Sequence, residues 1–332
     1  MSIPQLRWGV LSCARIAQNH VIPAIQDSQH GTVVAIASRE IALANKVAES
    51  HQIPVVCHSY DEVINLSTVD AIYIPLPNHL HVQWSIDAVE AGKHVLCEKP
   101  FGLSEHDLSP LITLSKKYPD IMIAEAFMYR YHPQWRYTFE AVKSKQIGEL
   151  QSAHIHFSYD NKDPDNIRNK LDFGGGGLMD IGCYGISVAR WLFDAEPMRV
   201  CALMERHSEF KTDILSSIIL DFPTGSATVV CATQMQRFQH VSLVGTKGRM
   251  ILGAPFNISP DTEAHIELQM DNTRNRTIEI PPSNQFSLQF DAFAADVIQR
   301  ELFSTPLSDS QRNMHIIDAC FKSAESNAWV WC

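Results

Sequence analysis

The feature that most narrows the fold is a series of short, continuously apolar runs in the first third of the chain, each followed by a helical pattern. Trp8-Gly9-Val10-Leu11, residues 32–37, Val55-Val56-Cys57, residues 70–75, His94-Val95-Leu96-Cys97 and residues 121–124 read as strands apolar on both faces. Helical patterns over residues 14–26 and 41–51 lie between the first three. Before the fifth strand the punctuation is plain. Asn78 suits a helix start, Leu80, Trp84 and Ala88 repeat at helical spacing, and Gly92 stands where a left-handed C-terminal cap belongs. Apolar strands alternating with helices form a parallel sheet covered on both faces, the α/β class with a doubly wound sheet.

From about residue 150 the texture changes. Residues 154–159 read as a strand, and Pro223-Thr224-Gly225 and Gly245-Thr246-Lys247-Gly248 each separate two strand patterns, as hairpin turns do. This half reads as a mainly antiparallel sheet joined by a helix that starts near Leu178, with a last helix over residues 286–301 packing back on the body. A length of 332 residues accommodates both parts as separate domains.

Composition excludes several classes. A net charge of −10 argues against a nucleic-acid partner, which needs clustered lysine and arginine. No apolar run approaches the roughly 20 residues that span a bilayer, and residues 1–7 lack the pattern of a signal peptide, so no membrane partner is expected. The eight cysteines are scattered without a C-x-x-C pair, which suits free thiols in the reducing cytoplasm. His154 and His156 alternate on a strand without a third ligand nearby, so no metal site is expected. Cys183 has no evident base and reads as packing.

Beyond the first strand, Ser12-Cys13-Ala14-Arg15-Ile16-Ala17 stands where a dinucleotide-binding turn wants G-x-G-x-x-G/A. Small residues there let the backbone approach a pyrophosphate at a helix start, and only that requirement is met. At the end of the second strand, NAD-preferring folds place an acid for the ribose 2′-hydroxyl. This chain has Ser38-Arg39, a hydroxyl and a guanidinium that suit a 2′-phosphate. NADP(H) is therefore expected in preference to NAD(H).

Glu98-Lys99-Pro100 directly follows the fifth strand, and ligands of open parallel sheets bind outside the carboxyl ends of strands. A lysine delivered there can hydrogen-bond a substrate oxygen and lower a neighbouring phenol's pKa. Further on, Gly174-Gly175-Gly176-Gly177-Leu178-Met179-Asp180-Ile181-Gly182-Cys183-Tyr184 places an acid and a phenol four residues apart, on one helix face. With Lys99 they make a proton-transfer set for carbonyl/alcohol interconversion. The glycines allow the helix start to approach another group, and Gly182 leaves room for a stacked ring. By spacing alone, the segment reads equally well as a flexible loop and a helix with a half-buried tyrosine.

Together these residues resemble the glucose-fructose oxidoreductase/inositol dehydrogenase (Gfo/Idh/MocA) family. The resemblance runs through Pro75-Leu76-Pro77-Asn78 with His81, Ala91-Gly92-Lys93-His94-Val95 into Glu98-Lys99-Pro100, Tyr129-Arg130-Tyr131-His132-Pro133, and the Asp180/Tyr184 segment. It is greatest toward the branch of glucose-fructose oxidoreductase, dimeric dihydrodiol dehydrogenase and NADP-dependent D-xylose dehydrogenase, which has a tyrosine where inositol dehydrogenases have a histidine.

The resemblance implies a Rossmann NADP-binding domain over residues 1–125. Residues 126–332 would be an α+β domain for substrate binding and oligomerisation, whose open-faced sheet makes a homodimer or tetramer. It implies hydride transfer at nicotinamide C4 to or from a sugar-like or diol substrate, trans-dihydrodiols included, with Tyr184 as acid/base and Lys99 and Asp180 assisting. Ser12, Cys13, Ala14, Arg15, Ile16, Ser38 and Arg39 would hold the adenosine and pyrophosphate end. Pro75, Leu76, Asn78, His81, Glu98, Lys99 and Arg130 would line the ribose and nicotinamide end. Tyr159 and Arg168 join Lys99, Asp180 and Tyr184 as substrate contacts. Serine and alanine replace the usual glycines at positions 12 and 14. The alternative within this fold is a non-catalytic, NADP-sensing regulator, which has no need of the Lys99, Asp180 and Tyr184 set.

Overall fold

A computed structural model describes residues 5–270, 275–299 and 306–332. The chain divides into two compact units, Met1–Met128 with Asn284–Gln311, and Tyr129–Ser283 with Arg312–Cys332.

The first unit holds the expected α/β sheet. Along the chain run β1 (Leu6–Leu11), α1 (Ile22–Gln26), β2 (Gly31–Ala37), α2 (Ile41–His51), β3 (Val55–Cys57), α3 (Tyr60–Asn65) and β4 (Ala71–Ile74). They continue with α4 (His81–Glu90), β5 (His94–Cys97), α5 (Ser109–Lys117) and β6 (Ile123–Glu125). The strand order is β3-β2-β1-β4-β5-β6, every pair parallel. Order reverses between β1 and β4, which opens a crevice at their carboxyl ends.

Gly92 takes φ +77° at the end of α4, as a C-terminal cap requires. The entry to α4 differs from expectation: a 3₁₀ turn over Asn78–Leu80 precedes it, so the helix proper begins at His81. The helix after β1 also departs from a plain α form, carrying a π turn over Ala17–Val21. Pro23 explains the defect, because it has no N–H to offer the carbonyl four residues back.

Helix α8 (Gln285–Gln299) belongs to this unit. Its Phe290 and Phe293 rings lie 4.9 and 5.3 Å from Trp8, which is fully buried. This is the late helix expected to pack back on the body; the expected end at Glu301 lies outside the described residues. The single boundary expected at residue 125 thus becomes a division in which a downstream segment returns to the first unit.

The second unit is built on a nine-stranded sheet. After α6 (Pro133–Lys143) come β7 (Leu150–Asp160), α7 (Cys183–Phe193), β8 (Arg199–Arg206), β9 (Asp213–Phe222), β10 (Gly225–Ala232), β11 (Gln234–Gly245), β12 (Gly248–Leu252), β13 (Ala264–Met270) and β14 (Arg276–Ile280). Helix α9 (Leu307–Ser326) contributes its stretch from Arg312, and β15 (Val330–Trp331) closes the chain. The order is β14-β13-β12-β11-β7-β10-β9-β8-β15, antiparallel except for β7 against β10. Both expected hairpins form, Phe222 pairing with Gly225 and Val244 with Arg249.

One sheet face is buried beneath α7 through Ile155, Phe157, Val229 and Cys231. The opposite face exposes Leu203, Ile219, Phe238 and Val244. Among the described residues, no helix is long and apolar enough to cross a membrane.

Candidate active site

In the first unit, the expected nucleotide-binding residues gather at the carboxyl ends of β1 and β2. The Ser12 N–H donates to the Ala37 carbonyl at 2.9 Å, which sets the end of β1 beside Ser38. Ser12 takes φ +125°, a conformation that favours glycine and strains a residue with a β-carbon. The serine therefore occupies the backbone shape of the glycine it replaces. Cys13 is buried, Ala14 and Ile16 are half-buried, and Arg15 reaches solvent. Ser38 is half-buried and Arg39 exposed. A strained turn at a helix start, a hydroxyl and an exposed guanidinium suit a dinucleotide with a 2′-phosphate.

Sequence reasoning passed over Tyr60 at this end. It opens α3 directly after β3. Burial pushes its phenol up, while the Arg39 guanidinium and the Ser12 hydroxyl draw it down. The missed signal was positional: Tyr60 sits three residues past a strand end, where every parallel strand delivers to the crevice.

At the ends of β4 and β5, Pro75 and Leu76 are buried, and Asn78, Glu98 and Lys99 half-buried. The Tyr73 hydroxyl donates to Glu98 Oε1 at 2.7 Å, and the Glu98 N–H to the Ile74 carbonyl at 3.1 Å. The Phe101 N–H donates to Glu125 Oε1 at 3.0 Å, tying the next turn to β6. The Lys99–Pro100 peptide is cis.

His81 has no exposed surface. Its Nδ1 lies 2.8 Å from the Pro100 carbonyl oxygen and its Nε2 2.7 Å from that of Leu76. Burial lowers its pKa to about 4, and nearby Lys99 and His79 add to the lowering. Neutral, it has one N–H, so it donates to one of the two carbonyls while packing between the Pro75-Leu76 and Glu98-Lys99-Pro100 turns.

The second unit assembles a polar cluster. The Tyr159 hydroxyl donates to Asp180 Oδ2 at 2.6 Å, and Arg168 Nε donates to the same oxygen at 2.9 Å. The Asp180 side chain is 12% exposed and that of Arg168 45%. Asp180 holds the guanidinium firmly charged, with the Tyr184 phenol adding to that effect. Burial raises Tyr159's pKa, and the Asp180 charge raises it further. Asp180 Oδ2 is thus a hydrogen-bond acceptor for both groups.

Tyr184 is 5% exposed. Its ring centroid lies 5.3 Å from Phe256 and 5.7 Å from both Tyr129 and Phe157. Arg130, expected at the cofactor, belongs to this unit and faces α7. Its Nη2 donates to Ser187 Oγ at 2.7 Å, and its guanidinium stands 5.5 Å from the Trp191 ring.

Asp180 and Tyr184 do share one helical run, but it opens as a π turn over Leu178–Gly182 before α7 proper. Gly182 does not make room for a ring. A β-carbon there would lie 2.8 Å from Cys231 Sγ, so the glycine lets the helix seat closely on β10. Gly185 does the same against Val229 Cγ1, at 2.4 Å.

The group that the glycine run approaches is Asp213, the second residue missed from sequence. Its Oδ2 accepts from the Leu178 N–H at 2.7 Å and the Ser216 hydroxyl at 2.8 Å. An acid at the start of a β-strand carries no sequence mark of capping a helix that precedes it by thirty-five residues.

Residues 6–125 match the oxidoreductase family with an NAD-binding Rossmann fold, and residues 135–251 match the GFO/IDH/MocA C-terminal domain. The chain is 39% identical to an uncharacterised oxidoreductase, ORF334, of Rhizobium meliloti, over 98% of each chain. It is 35% identical to a D-xylose 1-dehydrogenase (NADP(+)) of Haloferax volcanii, over 98% of this chain and 99% of that one. Among solved structures, it is similar to a 3-ketoreductase from Actinomadura kijaniata in complex with NADP and TDP-benzene. The TM-score is 0.89 at 27% identity, over 96% of this chain and 98% of that chain.

Proposed function

The chain belongs to the GFO/IDH/MocA family of oxidoreductases, and on that footing we propose that it is an NADP(H)-dependent enzyme interconverting CH–OH and C=O groups of a sugar-like or diol substrate. Tyr184 is the acid/base, and Lys99 and Asp180 assist at the substrate. The observation that carries this reading is the cluster in which Tyr159 of β7 and Arg168 converge on Asp180, which shares one helical run with Tyr184.

The nicotinamide, when bound, supplies or accepts the hydride. Ser12, Ser38 and Arg39 hold the phosphate-bearing end, and Arg39 favours the 2′-phosphate over a free hydroxyl. The D-xylose dehydrogenase relative is named for NADP, and the ketoreductase was solved with it, which supports the preference. His81, buried between the Leu76 and Pro100 turns and donating to one of their carbonyls, keeps the two turns together.

The chemistry then falls to side chains of this protein. Tyr184 takes the proton of the substrate hydroxyl during oxidation and returns it during reduction. Tyr184 is 5% exposed and its ring is packed among Tyr129, Phe157 and Phe256, which holds the phenol in one orientation. Lys99 donates a hydrogen bond to the substrate oxygen. Asp180 accepts from a neighbouring substrate hydroxyl, and polyhydroxylated substrates offer one. The exposed apolar face of the second sheet docks a second copy of the chain, making a homo-oligomer.

The test is the change in nicotinamide absorbance with NADP and NADPH across aldoses, keto sugars and vicinal diols, for wild type and Tyr184→Phe. The expected result is turnover with NADP(H) on at least one class, reduced about 100-fold or more in kcat by Tyr184→Phe. Full kcat in Tyr184→Phe removes the tyrosine from its role. Binding of NADPH without turnover of any carbonyl compound returns the reading to a sensor.

A further inference from the structure

Asp213 is 1% exposed, a carboxylate inside the second unit. Its surroundings are specific. Oδ2 receives the Leu178 N–H and the Ser216 hydroxyl, while Oδ1 has no hydrogen-bond donor among the described residues. Oδ1 stands 2.1 Å from where a β-carbon on residue 176 would sit. Gly176 also takes φ +117°, which disfavours any side chain. A β-carbon on Gly177 would meet Asp213 Oδ2 at 3.3 Å. The glycine run and the acid are thus one device.

Burial raises the Asp213 pKa, with Ser216, the Leu178 N–H and Arg206 opposing that shift. A buried carboxylate held by two neutral donors is a costly choice for capping alone, since an asparagine or serine caps without the charge.

We propose that Asp213 is a positioning residue for the catalytic helix: its carboxylate anchors the Leu178 N–H so that Asp180 and Tyr184, two and six residues on, are held in register. The inference rests on the assignment of Tyr184 as acid/base. Through the anchor, Asp213 controls the entry into the π turn over Leu178–Gly182, which decides where both side chains point. Its charge also reaches the cluster, raising the pKa of Tyr159. The other titratable groups around it are Arg206 on β8, Cys231 on β10 and Tyr159 on β7.

The experiment compares wild type, Asp213→Asn, Ser216→Ala and Tyr184→Phe, each checked for folding by circular dichroism. Readouts are the pH profile of kcat, KM for the best substrate, and the NADPH Kd from fluorescence. Asp213→Asn keeps the side-chain volume and an acceptor but removes the charge. It is expected to lower kcat roughly 10-fold or more, to move the base limb of the kcat profile to lower pH, and to leave the NADPH Kd unchanged. An unmoved profile with unchanged kcat overturns the proposal and leaves Asp213 as a plain cap. If Asp213→Asn does not fold, Ser216→Ala decides, because it loosens the carboxylate without removing it. A reduced kcat at unchanged NADPH Kd supports the anchor, and wild-type kcat overturns it. Tyr184→Phe separates the two claims. Full activity there sinks the acid/base assignment whatever Asp213 does, whereas inactive Tyr184→Phe beside unaffected Asp213→Asn sinks only the claim that the Asp213 carboxylate positions the helix.

Discussion

At the scale of single residues, the most informative is Ser12. Its φ of +125° costs a residue with a β-carbon about 1–3 kcal/mol, whereas glycine costs roughly 0.5–1 kcal/mol in lost unfolded-chain restriction. The strain is the larger quantity, so Ser12→Gly is expected to stabilise the protein by about 1 kcal/mol in thermal melts. A fall in Tm would show that the serine side chain contributes more than its backbone costs. Ser12 was legible in the sequence as a departure from a glycine position, and its strain was not, because a one-letter code carries no φ. Asp180 stood out in the sequence four residues from Tyr184, where spacing alone left the segment evenly balanced and the family resemblance supplied the role. Its partners Tyr159 and Arg168 were expected as substrate contacts, and the structure shows them bonded to Asp180 itself. Tyr60 carried only the positional mark of following a strand end, and Asp213 was not legible, since it meets the Leu178 N–H from thirty-five residues away.

At the scale of elements, the strands of the first unit and both hairpins of the second followed directly from apolar runs and turn residues. The helical defects did not. Pro23 marks one π turn in hindsight, but the one over Leu178–Gly182 depends on how the helix start meets Asp213 and β10. The seating of α7 on the sheet gives a direct check. In Gly185→Ala the new methyl would meet Val229 Cγ1 at 2.4 Å, and overpacking of this kind costs about 1–3 kcal/mol. Val229→Ala in the same chain is expected to recover most of that loss, since the two side chains compete for one space. Denaturant unfolding of the single and double variants measures the coupling. Additive effects would mean that Gly185 owes its place to something other than close helix–sheet contact.

At the scale of the whole molecule, each unit carries its own share of the candidate site residues. The first carries the Ser12 turn and the Glu98-Lys99-Pro100 turn at the ends of parallel strands. The second carries the acid cluster under one face of its sheet and an exposed apolar row on the other. The proposed self-association through that row would bury Ile219, which is 43% exposed. Ile219→Asp is expected to shift the molar mass in light scattering toward the monomer while leaving the fold intact. A mass unchanged from wild type, whether monomer or oligomer, would rule this face out as the contact.

By itself, the sequence determined the α/β class, the strand order's raw material, the family and the candidate chemistry, because apolar periodicity, turn residues and local motifs act over a few neighbouring positions. Only the tertiary structure decided the rest. It returned α8 to the first unit through Phe290 and Phe293 against Trp8, and buried His81 between the Leu76 and Pro100 turns. It also set a buried carboxylate beneath the glycine run. The physical reason is common to all three: each depends on a contact between segments far apart along the chain, where packing and burial decide which groups meet.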